Sequence, residues 1–209
     1  MELTVGTDST WSLRVWLCSQ IAQIDLAINV IDLTAPDYKS LVIKQSPTGL
    51  VPALNQGSFI IHDSLSITEY FNERSDGALY PSNSPDRALA RSLCAELHAG
   101  FINLRTHCPF TLAPVTPLSE QQSLASNQGV TNELKRIENI FGSARLPFMF
   151  DAAGAVDAFY AILAYRLYAY GIALKGQAGR YQESLLNWSL LKQAITLAKS
   201  WKAETNHIN

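Results

Sequence analysis

The chain of 209 residues is long enough for one large domain or for two small domains with real cores. Its composition, 47% hydrophobic and 16% charged, is typical of a globular protein and excludes a disordered chain. The formal net charge of −2 provides no basic field for nucleic acid or an anionic membrane. We also expect no signal peptide and no membrane span, because the start lacks a basic region and the longest apolar runs are short.

The cysteines and histidines show no metal-binding or redox pattern. Cys18, Cys94 and Cys108 form no CxxC pair and no zinc spacing, and His98 and His107 have no suitably spaced partners. Because disulfides are rare in the cytosol, we expect three reduced thiols in a cytoplasmic protein without a metal site.

The first part of the chain alternates short apolar strands with helices. We predict strands at 3–5, 27–31, 51–54 and 59–61, helices at 12–22 and 64–74, and a short helix or irregular turn at 37–45. The turn Asn55-Gln56-Gly57 is a hairpin signal between the last two strands. The order βαβ-α-ββα therefore predicts a parallel pair with a crossover helix, then an antiparallel hairpin, as in a thioredoxin-like α+β domain.

The second part of the chain is predicted to be all-helical. Residues 79–85 are rich in Pro, Ser and Asn and are the best linker. After them we predict helices at 86–107, 120–141, 154–171, 181–188 and 189–204, with a proline-rich break at 108–119. The predicted domains are therefore 1–78 (thioredoxin-like) and 86–209 (all-α).

Pro52 is an anomaly in a strand pattern. Proline removes a ladder donor but is tolerated at the first residue of a strand, and a cis bond is one way to build a tight entry. This arrangement would leave the backbone N–H and C=O of Val51 unpaired by the sheet. Such a pair is a place where an extended peptide can add itself as a strand.

Ser9 and Thr10 precede a helix, where unpaired N–H groups and positive potential favour ionisation of a nearby thiol. Lowering a thiol pKa by about two units requires about 2.7 kcal/mol. The helix end supplies about 0.3–1 kcal/mol, up to about 2, and a charge-assisted hydrogen bond about 1.5–3 kcal/mol. A hydroxyl is therefore needed in addition to the helix, and a general base is not. Alternatively, the two residues only cap the helix.

Asp63 and Ser64 stand at the start of another predicted helix. A serine hydroxyl and free N–H groups can hold a carboxylate there, and an acidic side chain can bind an ammonium group. The alternative is an N-cap with an acidic neighbour favoured by the helix dipole.

Taken together, these pieces resemble the glutathione transferase family. The segments occur in the family's order: Ser9-Thr10-Trp11-Ser12-Leu13-Arg14, Val51-Pro52, Asp63-Ser64 and Gly154-Ala155-Val156-Asp157-Ala158. The serine-rich opening is most similar to bacterial, serine-type and zeta-like members. The resemblance implies the family's fold, a homodimer, glutathione bound in the first domain and a small hydrophobic electrophile bound between the domains.

The resemblance also implies roles for individual residues. Ser9 would activate the glutathione thiol, with Thr10 as the alternative. The Val51 backbone would pair with the cysteinyl residue of glutathione, and Pro52 would be cis. Asp63 and Ser64 would hold the γ-glutamyl end.

Six further residues have less specific roles. Asp157 resembles the acidic residue of the family's capping box, so we interpret it as structural. Arg14 could bind an anion, although a structural pair or a bridge between domains is favoured. Trp11, together with His98, Phe101 and Arg105, could line the electrophile pocket; alternatively these side chains only pack or pair locally.

The resemblance predicts a transferase that adds glutathione thiolate to a small electrophile, a detoxification activity. Leu50 stands where related bacterial sequences carry a basic residue, and the lost contact would weaken glutathione binding about tenfold or more. The alternatives are a glutathione-dependent isomerase of the zeta (maleylacetoacetate isomerase-like) kind, and a non-catalytic carrier or docking protein. A thiol–disulfide oxidoreductase is disfavoured because no cysteine lies near Ser9.

Overall fold

The computed structural model describes residues 1–117 and 127–206, which contain four strands and nine helices. The strands are β1 (Glu2–Gly6), β2 (Ala27–Ile31), β3 (Ala53–Asn55) and β4 (Ile60–His62). The helices are α1 (Thr10–Ile21), α2 (Tyr38–Gln45), α3 (Ser64–Arg74), α4 (Ser84–Ala99), α5 (Ile102–His107), α6 (Gln128–Gly142), α7 (Ala155–Ala169), α8 (Gly176–Asn187) and α9 (Ser189–Asn206).

The strands form one mixed sheet in the order β2-β1-β3-β4. β1 is parallel to β2 and antiparallel to β3, and β3 and β4 form an antiparallel hairpin. Leu3, Thr4 and Val5 of the central strand are all buried, as expected for a strand covered on both faces. The predicted thioredoxin-like α+β order followed by helices is confirmed.

The chain divides into two compact units. One contains Met1–Tyr80 and the C-terminal segment from Lys192, and the other contains Pro81–Leu191. The domain limits of 1–78 and 86–209 remain a prediction. Across the described ranges, no helix is both long enough and apolar enough to cross a membrane.

Helix α7 forms the centre of the second unit. Twelve of its fifteen residues are buried, so it is apolar nearly all round, as a central helix should be. The ring of Phe141 packs edge-on against Tyr160 and Tyr181, with centroids 5.9 and 5.0 Å away. Tyr160 also donates a hydrogen bond to the Leu93 carbonyl, at 3.1 Å, so its polar end is satisfied inside the core.

The single helix predicted at 86–107 is wrong. α4 ends at Ala99, Gly100 is extended, and Phe101 has a left-handed backbone with φ of 57° before α5 begins. A side chain at Gly100 would lie 2.7 Å from the Glu96 carbonyl oxygen, so the close approach suits glycine.

Side chains from neighbouring helices hold the two ends of this break. The Arg105 guanidinium donates to the Leu97 and His98 carbonyls, which lie in the last turn of α4. The Glu133 carboxylate, from α6, accepts backbone N–H groups in the first turn of α5, including that of Leu104 at 2.7 Å. Orphan groups at both helix ends are thereby satisfied.

Other predicted boundaries shift by a few residues. β3 begins at Ala53 rather than at residue 51, and α8 begins at Gly176 rather than at residue 181. Two glycines in the first turn of α8 weaken its helical signal, although Gln177 anchors that turn on the Ala144 carbonyl at 2.7 Å. Residues 120–126 of the helix predicted at 120–141 lie outside the described part of the chain.

Candidate functional site

The sheet places three separate segments at one edge. Thr4 pairs with Ala53, and Ala53 pairs with His62, so these residues form a row across β1, β3 and β4. The chain continues past this row, at the same edge, into the Gly6–Ser9 turn, Val51–Pro52 and Asp63–Ser64. Three of the segments that the sequence singled out are therefore brought together by strand register.

Gly6 shows how close two of these segments are. A Cβ atom at Gly6 would lie 2.9 Å from Val51 Cγ2 and 2.5 Å from Leu33 Cδ1. No side chain fits there unless its neighbours shift. The turn that leads to Ser9 therefore lies directly against Val51.

Val51 stands just outside the sheet. The Val51–Pro52 peptide bond is cis, as the resemblance implies. Pairing of β3 with β1 begins at Ala53, so the Val51 N–H and C=O take no part in that ladder. A backbone pair in this position is able to accept an extended peptide.

Ser9 is the N-cap of α1. Its backbone is extended (φ −85°, ψ 109°), and its Oγ accepts the Ser12 N–H at 3.2 Å and the Ser12 O–H at 3.0 Å. Ser9 and Thr10 are both buried, with 7% and 3% of their surfaces exposed. The first turn of α1 carries no acidic residue that would offset the positive potential of the helix end.

The turn before Ser9 is held by the C-terminal helix. Lys202 of α9 donates to Asp8 Oδ2 at 2.6 Å, and both residues belong to the first unit. Asp8 has a left-handed backbone with φ of 58°. Sequence reasoning missed this contact because 194 residues separate the partners and no local signal links them.

Asp63 caps α3 and has an unusual backbone. Its carboxylate accepts the N–H groups of Leu65 at 2.8 Å and Ser66 at 3.2 Å, while its φ of 75° is rare for a residue with a side chain. Ser64 is 1% exposed. The geometry supports the N-cap interpretation of Asp63, and a ligand-binding role for the pair remains a prediction.

Arg14 and Trp11 lie together on α1. Arg14 is buried, and its guanidinium carbon lies 5.7 Å from the centroid of the Trp11 ring. This distance is within the range of a cation–π contact. The contact favours a packing role for both side chains within the first unit.

Cys18, further along α1, is not suited to redox chemistry. Burial raises the pKa of its thiol to about 12, although a hydrogen bond from Thr68 and the charge of Arg14 act in the opposite direction. The thiol therefore stays protonated and inert near neutral pH. Across residues 1–117 and 127–206, no cluster of three or more His, Cys, Asp or Glu side chains is placed to hold a metal ion.

The other predicted pocket residues belong to the second unit. Phe101 is buried at the break between α4 and α5, and Arg105 donates to the His98 carbonyl across that break. Burial lowers the pKa of Arg105, and the charge of Glu133 partly offsets this. These contacts give Arg105 a structural role. A role of Phe101, His98 and Arg105 in binding an electrophile remains a prediction.

Asp157 is buried at the start of α7 and makes three hydrogen bonds. It accepts the N–H groups of Met149 at 2.8 Å and Gly154 at 2.9 Å, and the Tyr181 hydroxyl at 2.7 Å. Burial raises the pKa of its carboxyl, and the hydrogen bond from Tyr181 is the largest opposing effect. These three hydrogen bonds support a structural role for Asp157.

Part of the first unit matches a known family model. Residues 8–74 match the family model of the glutathione S-transferase N-terminal domain. A search of curated proteins gave no significant match.

Solved structures resemble the chain over nearly its whole length. A glutathione transferase homologue from Burkholderia, solved with bound glutathione, is 22% identical, covers 95% of this chain and 97% of its own, and gives a TM-score of 0.70. A glutathione transferase F2 from Populus trichocarpa is 21% identical, with coverage of 95% and 99% and a TM-score of 0.71. A bacterial zeta-class maleyl pyruvate isomerase is 15% identical, with coverage of 95% and 98% and a TM-score of 0.72. Residues 8–74 therefore match the N-terminal domain of glutathione S-transferases, and the chain as a whole has the glutathione transferase fold.

Proposed function

We propose that the protein is a glutathione transferase that adds the thiolate of glutathione to a small hydrophobic electrophile. The observation that carries the proposal is the Ser9 hydroxyl at the start of α1, at the same edge of the sheet where Val51 lies outside the β1–β3 ladder. A thiol held there would receive both the positive potential of the helix end and a hydrogen bond from a hydroxyl.

Hydrogen-bond counting shows that the Ser9 hydroxyl is available as the activating group. A serine oxygen can accept two hydrogen bonds and donate one. The Ser9 oxygen already accepts two, both from Ser12. Within the part of the chain that the structure describes, the Ser9 O–H has no acceptor, so it is available to donate to a thiolate.

The remaining groups of glutathione fit the same edge of the sheet. The Val51 N–H and C=O would pair with the cysteinyl residue, and Asp63 and Ser64 would hold the γ-glutamyl end. The bound glutathione of the Burkholderia homologue supports this assignment by analogy of fold. Leu50, with 69% of its surface exposed, provides no charge for the glycine carboxylate, so we expect weak binding.

The proposal includes a cellular setting and an assembly. Cys18, Cys94 and Cys108 are buried free thiols, which suits a reducing compartment, so we propose a cytoplasmic location. A homodimer and a detoxification role rest on the family resemblance. Trp11, His98, Phe101 and Arg105 remain candidates for electrophile binding.

A second candidate function is glutathione-dependent isomerisation. The fold similarity to the maleyl pyruvate isomerase favours it, with a TM-score of 0.72. In such a reaction the thiolate adds to a double bond and leaves again after rotation, so glutathione is not consumed. Turnover without loss of glutathione would identify this activity.

The experiment is an ultraviolet titration of the protein with glutathione across pH. We expect a saturable thiolate band with an apparent pKa about two units below that of the free thiol. Ser9→Ala should raise this pKa by about 1–2 units, the equivalent of a charge-assisted hydrogen bond, and Thr10→Ala should leave it unchanged.

The outcomes separate the alternatives. Binding without a thiolate band would favour a carrier, and no binding at millimolar glutathione would favour a docking protein. An unchanged pKa in both variants would contradict the assigned role of the hydroxyl.

A further inference from the structure

We propose that Ser12 is a positioning residue that orients and polarises the Ser9 hydroxyl. The inference rests on the proposed function, because it assigns a role in thiol activation to a second residue of the same site. Ser12 lies in the first turn of α1, and nothing in the sequence distinguishes it from an ordinary helix-start serine.

The observation is a directed chain of hydrogen bonds. The Gly6 N–H donates to Ser12 Oγ at 3.3 Å, and the Ser12 O–H donates to Ser9 Oγ at 3.0 Å. The Ser12 N–H donates to the same Ser9 oxygen at 3.2 Å. The chain therefore begins at the end of β1 and terminates at the Ser9 hydroxyl.

The hydrogen bonds from Gly6 through Ser12 to Ser9 are shielded from water. Ser12 is fully buried, Ser9 is 7% exposed, and Gly6 is buried between Leu33 and Val51. In such surroundings each hydrogen bond polarises the next, by about 10–30% per bond. The Ser9 O–H is consequently a better donor than that of an isolated serine.

The same hydrogen bonds also fix the direction in which the Ser9 O–H points. Because both acceptor positions of Ser9 are filled from the side of Ser12, its proton points away from that residue. If the Ser12 O–H did not donate to Ser9, the Ser9 hydroxyl could rotate and donate to Ser12 Oγ instead. Ser12 therefore selects the rotamer in which Ser9 faces a ligand.

No proton is transferred along this chain. The S–H bond of glutathione breaks and its proton goes to water, while the Ser9 O–H stays intact and donates to the sulfur. Ser12 acts only through Ser9, and it needs no contact with glutathione.

The alternative role of Ser12 is to satisfy the buried Gly6 N–H, which would stabilise the fold without affecting the bound thiol. The titration distinguishes the two roles. We expect Ser12→Ala to raise the apparent pKa of bound glutathione by about 0.5 unit, less than Ser9→Ala does. Ser12→Thr, which keeps the hydroxyl, should restore the wild-type value.

Two controls sharpen the test. Ser19→Ala removes another fully buried serine of α1, which donates to the Trp16 carbonyl at 2.8 Å and takes no part in the hydrogen bonds from Gly6 to Ser9. It should therefore leave the pKa of bound glutathione unchanged. In a Ser9→Ala background, Ser12→Ala should have no further effect, since the group it polarises is gone. The affinity for glutathione below the thiol's pKa should change less than twofold in each Ser12 variant.

Each result decides between the hypotheses. If Ser9→Ala raises the pKa and Ser12→Ala does not, the inference is wrong and the proposed function stands. If Ser12→Ala raises the pKa of bound glutathione equally in the wild type and in the Ser9→Ala variant, Ser12 acts independently of Ser9, which also overturns the inference. If the wild type gives no thiolate band, the proposed function fails and the inference fails with it.

A second variant covers poor folding of Ser12→Ala. Ser12→Cys keeps the side-chain size but donates only weakly. Its own thiol absorbs in the ultraviolet, so the titration would follow the cysteinyl β-carbon of ¹³C-labelled glutathione by NMR. The expected shift is again about 0.5 unit, and an unchanged titration would overturn the inference.

Discussion

A polar side chain accepts hydrogen bonds at the start of both α1 and α7, yet the two arrangements differ: Ser9 is the N-cap of α1, and Asp157 lies three residues after the N-cap Gly154 of α7. At α7, Asp157 receives three hydrogen bonds from Met149, Gly154 and Tyr181 and is 1% exposed. At α1, Ser9 receives two hydrogen bonds and keeps a donor, for which the described residues provide no acceptor.

This difference separates a structural cap from a candidate catalytic one. The donors around Asp157 come from the protein itself, so its cap is complete without a ligand. The Ser9 cap retains one donor, at the same edge of the sheet where Val51 lies outside the β1–β3 ladder, so a ligand would complete it. Chemical type alone does not distinguish the two positions, because a serine N-cap and an acidic residue in the first turn are both common at helix starts.

Asp157→Ala should have the largest effect on stability. It would leave two buried donors and the part-buried Gly154 N–H without a partner, at about 1–3 kcal/mol for each buried donor, so we expect a loss of about 3 kcal/mol or more in the free energy of unfolding. Urea denaturation measures this. Asp151→Ala is the matched control, because Asp151 is 85% exposed and its pair with Arg145 is long at 3.4 Å; it should change stability by less than about 0.5 kcal/mol. A similar small loss for Asp157→Ala would contradict its structural role.

Gly6→Ala tests the packing beneath the α1 cap. The new methyl group would press on Leu33 and Val51, and overpacking of this kind costs about 1–3 kcal/mol. Because Val51 must shift, glutathione affinity should fall together with stability. Gly142→Ala is the control, since a Cβ atom there meets nothing within 4 Å. Retained affinity in Gly6→Ala would show that the position of Val51 does not matter for binding.

Cys18 gives a prediction for alkaline pH. Its pKa is raised from 9.0 to about 12, so the folded state keeps the proton that the unfolded state loses between these values. The stabilisation is therefore complete below pH 9 and is lost as pH rises toward 12, at up to about 1.4 kcal/mol per pH unit. Unfolding of Cys18→Ala compared with the wild type between pH 9 and 10.5 should show the shallower slope in the variant. Parallel slopes would mean that the thiol ionises normally.

Lys202→Ala should have the smallest effect. Its pair with Asp8 is partly exposed, so we expect a loss of about 0.2–1 kcal/mol that shrinks in high salt. The apparent pKa of bound glutathione should rise slightly, because the negative charge of Asp8 would no longer be balanced beside Ser9. Lys199→Ala, an exposed lysine on the same helix, is the control and should change neither quantity. A salt-independent loss would point to packing instead of charge.

The sequence predicted the order of the elements because each carries a local signal. The short apolar runs at β1 and β2 and the hairpin turn between β3 and β4 are signals that act within a few residues. The Val51–Pro52 strand entry was also predictable, since proline is tolerated in a sheet at only a few kinds of position, and the start of a strand is one of them. The break at Gly100 and Phe101 was not, because the groups that hold it include Glu133, some thirty residues along the chain.

The candidate site was predictable in its parts and not in its connections. Ser9 and Asp63 are common cap residues in suitable places, so their positions could be identified from sequence. The close approach of Gly6 to Val51 depends on the register of two strands, which no local pattern specifies. The direction of the hydrogen bonds from Ser12 to Ser9 depends on side-chain rotamers, and those follow from packing.

The row formed by Thr4, Ala53 and His62 limits where the chain can change its length. The β3–β4 hairpin turns at the opposite edge of the sheet, where Gly57 has open space around it. Added residues there leave the row in register. One added residue between Leu50 and Ala53 would displace Val51 and, if it entered the strand, would turn β3 over, because side chains alternate with a period of two. In the segment that contains β3 and β4, insertions are therefore compatible with the site at the hairpin turn and not at the entry to β3.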